Sequence, residues 1–389
     1  TLSQSRFHSL DVFRGATVAL MILVNNPGSW SFVYPPLEHA KWHGCTPTDL
    51  VFPFFLFAVG NAMAFVFKRS ETDGRSTLQG ANFWKKLTKR FLLIFLIGLV
   101  LNWFPFVKWD ASGELVMKPL ENLRILGVLP RIALAYFFAS IIIYLFKSKG
   151  AFVIGAILLL LYWWICYAFG EAGDPYSLQG YFGTAIDKAI LGESHMYKGE
   201  GVPFDPEGIM STIPAIVQVI FGFLAGEYII TKGKNTDMLS NLFVTSVLLI
   251  FTALVWDMVF PINKKIWTSS YVLYTTGLAM MILGVLIHWI ELKGTRAWWT
   301  KFFDVFGKNP LFIYVLSGVW IKLYLVMRIP NGTKDGKPPF INGYAWLFEH
   351  VFQPLLGNYV GSLAFAISHV LLFWLIGSIL DRKKIYIRV

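Results

Sequence analysis

Apolar residues along this chain gather into repeated runs of roughly 18 to 25 positions divided by polar connectors. That is the length an α-helix needs to cross ~30 Å of hydrocarbon at 1.5 Å per residue. The runs predict ten spans, at roughly 10–26, 49–67, 87–107, 126–146, 151–169, 212–230, 240–260, 269–290, 303–326 and 360–380. All ten are expected to be helices, because lipid offers no partner to an unpaired backbone group. The expected fold class is therefore all-α, a polytopic integral membrane protein forming one domain over residues 1–389.

Composition agrees with that pattern: 15% of residues are charged and 56% hydrophobic, against about 25% charged in a soluble domain. A net charge of +11 raises nucleic acid as a partner, but the basic residues sit between apolar runs rather than along one face, which excludes that class. Their placement predicts topology instead, since Lys and Arg collect on the cytoplasmic side. The connector 68–90 carries Lys68, Arg69, Arg75, Lys85, Lys86, Lys89 and Arg90. KSK at 147–149, TKGKN at 231–235, ELKGTRAWWTK and the tail DRKKIYIRV continue the series on the same side. Both termini are then cytoplasmic. The connectors 27–48, 108–125, 170–211, 261–268 and 327–359 fall outside, and 170–211 sets seven acids against Lys188 and Lys198. Lys264 and Lys265 in PINKKIW break the rule, either as a basic pair meeting an anionic ligand or as lysines reaching for headgroups. The opening TLSQSRFHSL has no basic n-region or cleavage site, so the first span is expected to remain in place. No internal repeat is visible, which disfavours inverted-repeat transporter architectures. Cys45 and Cys166 lack ligand spacing and are expected as free thiols.

Charges within or beside the spans are costly and are the first candidates for function. Asp11 and Arg14 lie three apart on one face of the first span, Arg131 lies in the outer third of the fourth, and Lys308 and Asn309 lie near the cytoplasmic end of the ninth. The connector after the first span is unusually dense in polar and aromatic residues: NNPGSWSFVYPPLEHAKWHGCTPTDLVFPFFLF. His39 and His43 would share a face on a helical turn, but no third residue with metal spacing accompanies them, so no metal is expected. TPTD at 46–49 reads as a helix start, with Asp49 either capping the second span or orienting a histidine.

These strings also carry a resemblance. LDVFRG, MILVNN and HAKWHGCTPTDLVFPFFLF, followed in order by LRILGVLPRIALAYF, YFGTAIDKAILGESHMY, FDPEGIMSTIPAIV, PINKKIWTSSYV and GKNPLFIY, resemble the heparan-α-glucosaminide N-acetyltransferase family and its bacterial relatives over nearly the whole chain. The resemblance implies a membrane enzyme that takes acetyl from cytoplasmic acetyl-CoA and delivers it to a glucosamine amine on the far side, with a bacterial inner (cytoplasmic) membrane as the expected location. It places the proposed catalytic histidine at His39 and an assisting asparagine at Asn25; by its position, Asp49 would be the carboxylate that orients the histidine. Arg14, Lys308 and Asn309 would meet the CoA phosphates. His43, Arg131, His195, Asp205, Glu207, Lys264 and Trp267 would meet the acceptor sugar. His43 stands where the lysosomal enzyme has an asparagine, which leaves open whether it shares the work. An amino-sugar permease, or an O-acyltransferase of a cell-surface glycan, stays open beside this reading, as does assembly into a homo-oligomer.

Overall fold

The computed structural model describes residues 7–72, 80–331 and 339–387. Arg75 and the last two residues, Arg388 and Val389, lie outside them. The described residues are mostly helical. Helix α1 (His8–Asn25) is followed by the polar loop and then by α2 (Val51–Thr72) and α3 (Gly80–Trp103). A small hairpin of β1 (Val107–Trp109) and β2 (Leu115–Met117) leads to α4 (Val128–Phe169). A short α5 (Gly183–Leu191) lies in the long acidic connector, and α6 (Thr212–Lys232), α7 (Thr236–Asp257) and α8 (Ser269–Ile287) follow. The chain closes with α9 (Trp298–Lys308), α10 (Pro310–Val326), two short helices α11 (Gly343–Leu347) and α12 (Gln353–Leu356), and α13 (Asn358–Arg382).

Six of these helices are long and apolar enough to cross a membrane, or seven if the bent pair α9 and α10 counts as one span. Two differences from the expected spans have a backbone cause. Helix α4 has 42 residues, about twice what ~30 Å of hydrocarbon requires, and it is broken at Lys147, whose φ of 57° and ψ of −175° are non-helical. The two runs expected on either side of KSK therefore appear as two helices joined at that residue. The run expected at 303–326 is not one straight helix but turns by 80° between α9 and α10. Pro310 lacks an N–H and its ring disfavours helical geometry at the residue before it, so Asn309 adopts φ −131° and ψ 50°.

Packing follows from small residues at the crossings. A Cβ on Gly60 would meet the carbonyl oxygen of Val219, and one on Gly222 that of Phe57, so α2 and α6 press backbone to backbone. Gly15 and Gly307 do the same for α1 and α9, against the carbonyls of Phe303 and Asp11. In a bilayer, where burying apolar surface gains nothing over lipid, such close contact is what holds helices together. The outward faces of α4 and α7 stay apolar and exposed, with Leu160, Trp164, Val247 and Phe251 among them. Helices α1, α2, α4 and α10 thus enclose an interior whose two ends differ in chemistry. One end carries His39, and the other carries Arg14.

Candidate functional site

At the His39 end, α1 stops on two asparagines that part ways. Asn26 is buried and donates its side-chain amide to the Ile22 carbonyl at 2.7 Å, while the exposed Asn25 faces a cavity. The following loop is tied to α13 by bonds from the Gly28 and Ser29 amides to Ser362, each 3.1 Å. It then makes two single turns, Pro35–Leu37 and Pro47–Leu50, that bring His39 back over the start of α2.

Asp49, 1% exposed, organises this return with its two oxygens divided between tasks. Oδ2 accepts from the backbone amides of Ala40 and Thr46 and from the Thr46 hydroxyl, each at 3.0 Å. Oδ1 accepts from Nδ1 of His39 at 2.7 Å. One side chain therefore bonds both the helix start and the His39 ring. Because a carboxylate holds Nδ1, the neutral ring presents Nε2 as its unprotonated atom. Tyr271 donates to the Asp49 carbonyl at 2.6 Å, fixing the residue to α8.

A distant segment completes the cluster. The Gly44 amide donates to the Ile262 carbonyl at 2.7 Å, joining PINKKIW to the underside of the histidine loop. This places Lys264 Nζ 3.4 Å from Asp49 Oδ1 and 3.2 Å from His39 Nδ1. Burial pushes the Lys264 ammonium below the usual lysine range, against the pull of Asp49 and Glu207. Lys265 turns away, bonded to Glu200 at 2.7 Å and to the Lys41 carbonyl at 2.8 Å, with the Trp42 ring beneath it.

From the acidic connector, Asp205 and Glu207 are gripped by Arg124, which donates to Asp205 at 3.0 and 2.6 Å and to Glu207 as well. Burial works against the Arg124 charge, but the two carboxylates outweigh it and hold the guanidinium above its ordinary value. Arg124 was not among the residues singled out by sequence. The available signal was an arginine in LENLRILG facing a connector rich in acids. Arg131 is wholly buried, bonded to the Gly208 carbonyl at 3.1 Å and to the Ser211 hydroxyl, with its guanidinium over the Trp267 ring.

Two cavities run through the interior. One, of about 200 Å³, is lined at the His39 end by Asn25, His39, Thr48, Glu207, Lys264 and Tyr314 among others. The second, of about 470 Å³, opens at the other end past Asp11, Arg14, Arg90, Lys308 and Tyr136. Phe55 and Ile132 line both, so the cavities abut through one apolar wall. At the Arg14 end the charges are compensated: Arg14 donates to the Gly307 carbonyl at 3.1 Å and lies 3.7 Å from Asp11, and Lys308 bridges Asp304 at 2.7 Å and Asp381 at 2.9 Å.

The structure thus brings Asn25, His39, Asp49, Glu207 and Lys264 together, and Arg14 with Lys308 at the opposite end. Others among the sequence candidates stand apart from the cavity linings. Asn309 is buried and spends its amide on the tail, donating to the Ile385 carbonyl at 3.0 Å and accepting from the Ile387 amide at 2.8 Å. His195 bonds the Leu123 carbonyl at 2.7 Å, and Asp205 is consumed by Arg124. Trp267 is 1% exposed and packs against Phe52 and Tyr271. His43 contacts Asn263 at 3.3 Å rather than His39's partners, and burial lowers its pKa against the pull of Asp174 and Asp257. Among the described residues, the side chains close enough to share a metal ion are His8, Asp11 and Asp304, not the two loop histidines. Cys45 and Cys166 are both free.

Comparison with known proteins adds an independent line. A family model described as heparan-alpha-glucosaminide N-acetyltransferase, catalytic, matches residues 6–238. The chain is 27% identical to the mouse heparan-alpha-glucosaminide N-acetyltransferase over 369 aligned residues, covering 80% of this chain and 53% of that protein. It is 28% identical to the human protein of the same name, covering 80% of this chain and 52% of that protein. The chain spans about half the length of these curated relatives.

Proposed function

The chain belongs to the heparan-alpha-glucosaminide N-acetyltransferase family, and on that premise we propose that it transfers acetyl from acetyl-CoA to the amine of a glucosamine-containing sugar held on the opposite side of the membrane. The observation that carries this reading is the pair of abutting cavities, one with cations at its mouth and one ending at His39, which share only Phe55 and Ile132. Acetyl-CoA enters at the Arg14 end, with Arg14, Arg90 and Lys308 offered to its phosphates. The pantetheine arm passes the Phe55 and Ile132 wall and brings the thioester to Asn25 and His39. Along α1, Arg14 and Asn25 are eleven residues apart, about 16 Å of helix.

The chemistry follows from the arrangement. The acceptor amine attacks the thioester carbonyl; the new C–N bond forms as the C–S bond breaks, and the CoA sulfur leaves as thiolate. Nε2 of His39 takes the amine proton while Nδ1–H donates to Asp49, whose charge stabilises the imidazolium that forms. The Asn25 side-chain amide donates to the oxyanion. Glu207, gripped by Arg124, offers a carboxylate to the sugar ammonium or hydroxyls before attack.

The proposed topology is ten crossings with both termini cytoplasmic. Counting α4 twice at its Lys147 break, the bent pair once, and adding α1 and α3 to the remaining apolar helices supports that number. The membrane is proposed to be a bacterial inner membrane. The test is purified protein given labelled acetyl-CoA and glucosamine. Labelled N-acetylglucosamine must form, and His39→Ala must abolish it. Retained transfer in that variant removes His39 from the mechanism. Accumulation of N-acetylglucosamine in vesicles without acetyl transfer identifies a permease instead.

A further inference from the structure

Two neighbouring lysines in PINKKIW have opposite environments. Lys265 is committed to Glu200, the Lys41 carbonyl and the Trp42 ring, all outside the cavity. Lys264 lines the cavity that also holds Asn25 and His39, with its Nζ 3.2 Å from His39 Nδ1. A primary amine thus stands in the cavity that the acceptor amine of the proposed reaction must enter, beside His39.

We propose that Lys264 is itself an acetyl acceptor, converted to Nε-acetyl-lysine by bound acetyl-CoA when no amino sugar fills the cavity. The inference rests on the acetyl-transfer reading of this site and deepens it. Lys264 reacts as the neutral amine. Nζ attacks the thioester carbonyl, the C–N bond forms, the C–S bond breaks, and the displaced amine proton leaves on the CoA sulfur as the thiol. Burial favours the neutral amine this step needs. The product has no charge to set against Asp49, and its acetyl group fills part of a cavity of only about 200 Å³. Donor without acceptor therefore switches the site off. It also means that acetylated protein formed without acceptor is not by itself a histidine intermediate.

The experiment incubates the full chain with labelled acetyl-CoA alone, then treats it with hydroxylamine, which strips acetyl from imidazole but not from an amide. Peptide mass mapping should find hydroxylamine-stable acetyl on Lys264 at least tenfold above Lys265 and Lys41. The label should be lost in Lys264→Arg and suppressed when glucosamine is added with the donor. Pre-acetylated protein should then transfer to glucosamine at least tenfold more slowly. Equal labelling of the three lysines, or label confined to His39, overturns the inference. If Lys264 stays unmodified with donor alone while a separate assay with glucosamine yields N-acetylglucosamine, the inference fails and the transfer reading stands. If neither glucosamine nor protein takes acetyl, the transfer reading fails and this inference with it.

Discussion

The two ends of the interior use charge differently. At the Arg14 end two cations are matched to nearby carboxylates or carbonyls, Arg14 to Gly307 and Asp11 and Lys308 to Asp304 and Asp381, while Arg90 lies over the Tyr136 ring. These contacts are partly exposed, as suits a mouth that in the proposed reaction trades internal partners for phosphates. At the His39 end the carboxylate is 1% exposed, both its oxygens are assigned, and it fixes which nitrogen of the histidine faces the cavity. In the proposed reaction that difference suits one end to bind and release and the other to hold a proton acceptor in one orientation. Changes at the His39 end should act on kcat, and changes at the Arg14 end on KM for acetyl-CoA.

The sharpest way to break that division is His39→Ala, for which we expect a fall in kcat of about 10²–10⁴-fold, the range for loss of a general base, with the acetyl-CoA KM within a few-fold of wild type. Asn25→Ala should follow at about 10²-fold in kcat, the lower range for a missing oxyanion donor. A KM effect alone would move Asn25 from the reacting centre to acceptor binding. Asp49→Asn offers one acceptor oxygen where two are used, so either the His39 bond or the Ala40 and Thr46 bonds must go. A tenfold to hundredfold loss in kcat, from about 1–3 kcal/mol of broken hydrogen bonding, should come with a lower melting temperature. At the other end, Arg14→Gln should raise the acetyl-CoA KM about tenfold, the effect of one charge-assisted bond, and leave kcat within about twofold. The smallest effect belongs to His195→Ala. Its ring is spent on the Leu123 carbonyl, so steady-state kinetics should show acceptor KM unchanged within about twofold and thermal melting should show a modest loss of stability.

Much of this contrast was legible in the sequence, and the part that was not has a physical reason. The helical class follows from run length and apolarity, because backbone satisfaction in lipid leaves little alternative. Asp49 was legible as a cap from TPTD alone, and His39 and Asn25 stood out through the strings around them. The grouping of Lys264 with His39 was not, since it depends on a 2.7 Å bond from Gly44 to Ile262 that joins segments over two hundred residues apart. Arg124 escaped notice for the same reason: its partners Asp205 and Glu207 come from beyond α4 and α5. Trp267 reads in sequence as a loop aromatic free to stack on a ligand, yet its φ of 51° turns the ring into the core against Phe52 and Tyr271. The bend at Pro310 was written in the sequence as Asn-Pro, while the partners that fix Asn309 lie in the tail.

The central claim is that donor and acceptor meet from opposite sides through the wall formed by Phe55 and Ile132. Sealed proteoliposomes of uniform orientation, with acetyl-CoA supplied on the Arg14 side and glucosamine only on the His39 side, test it most directly. The account predicts N-acetylglucosamine on the glucosamine side and free CoA on the donor side. Acetylation only when both substrates share one side would contradict it.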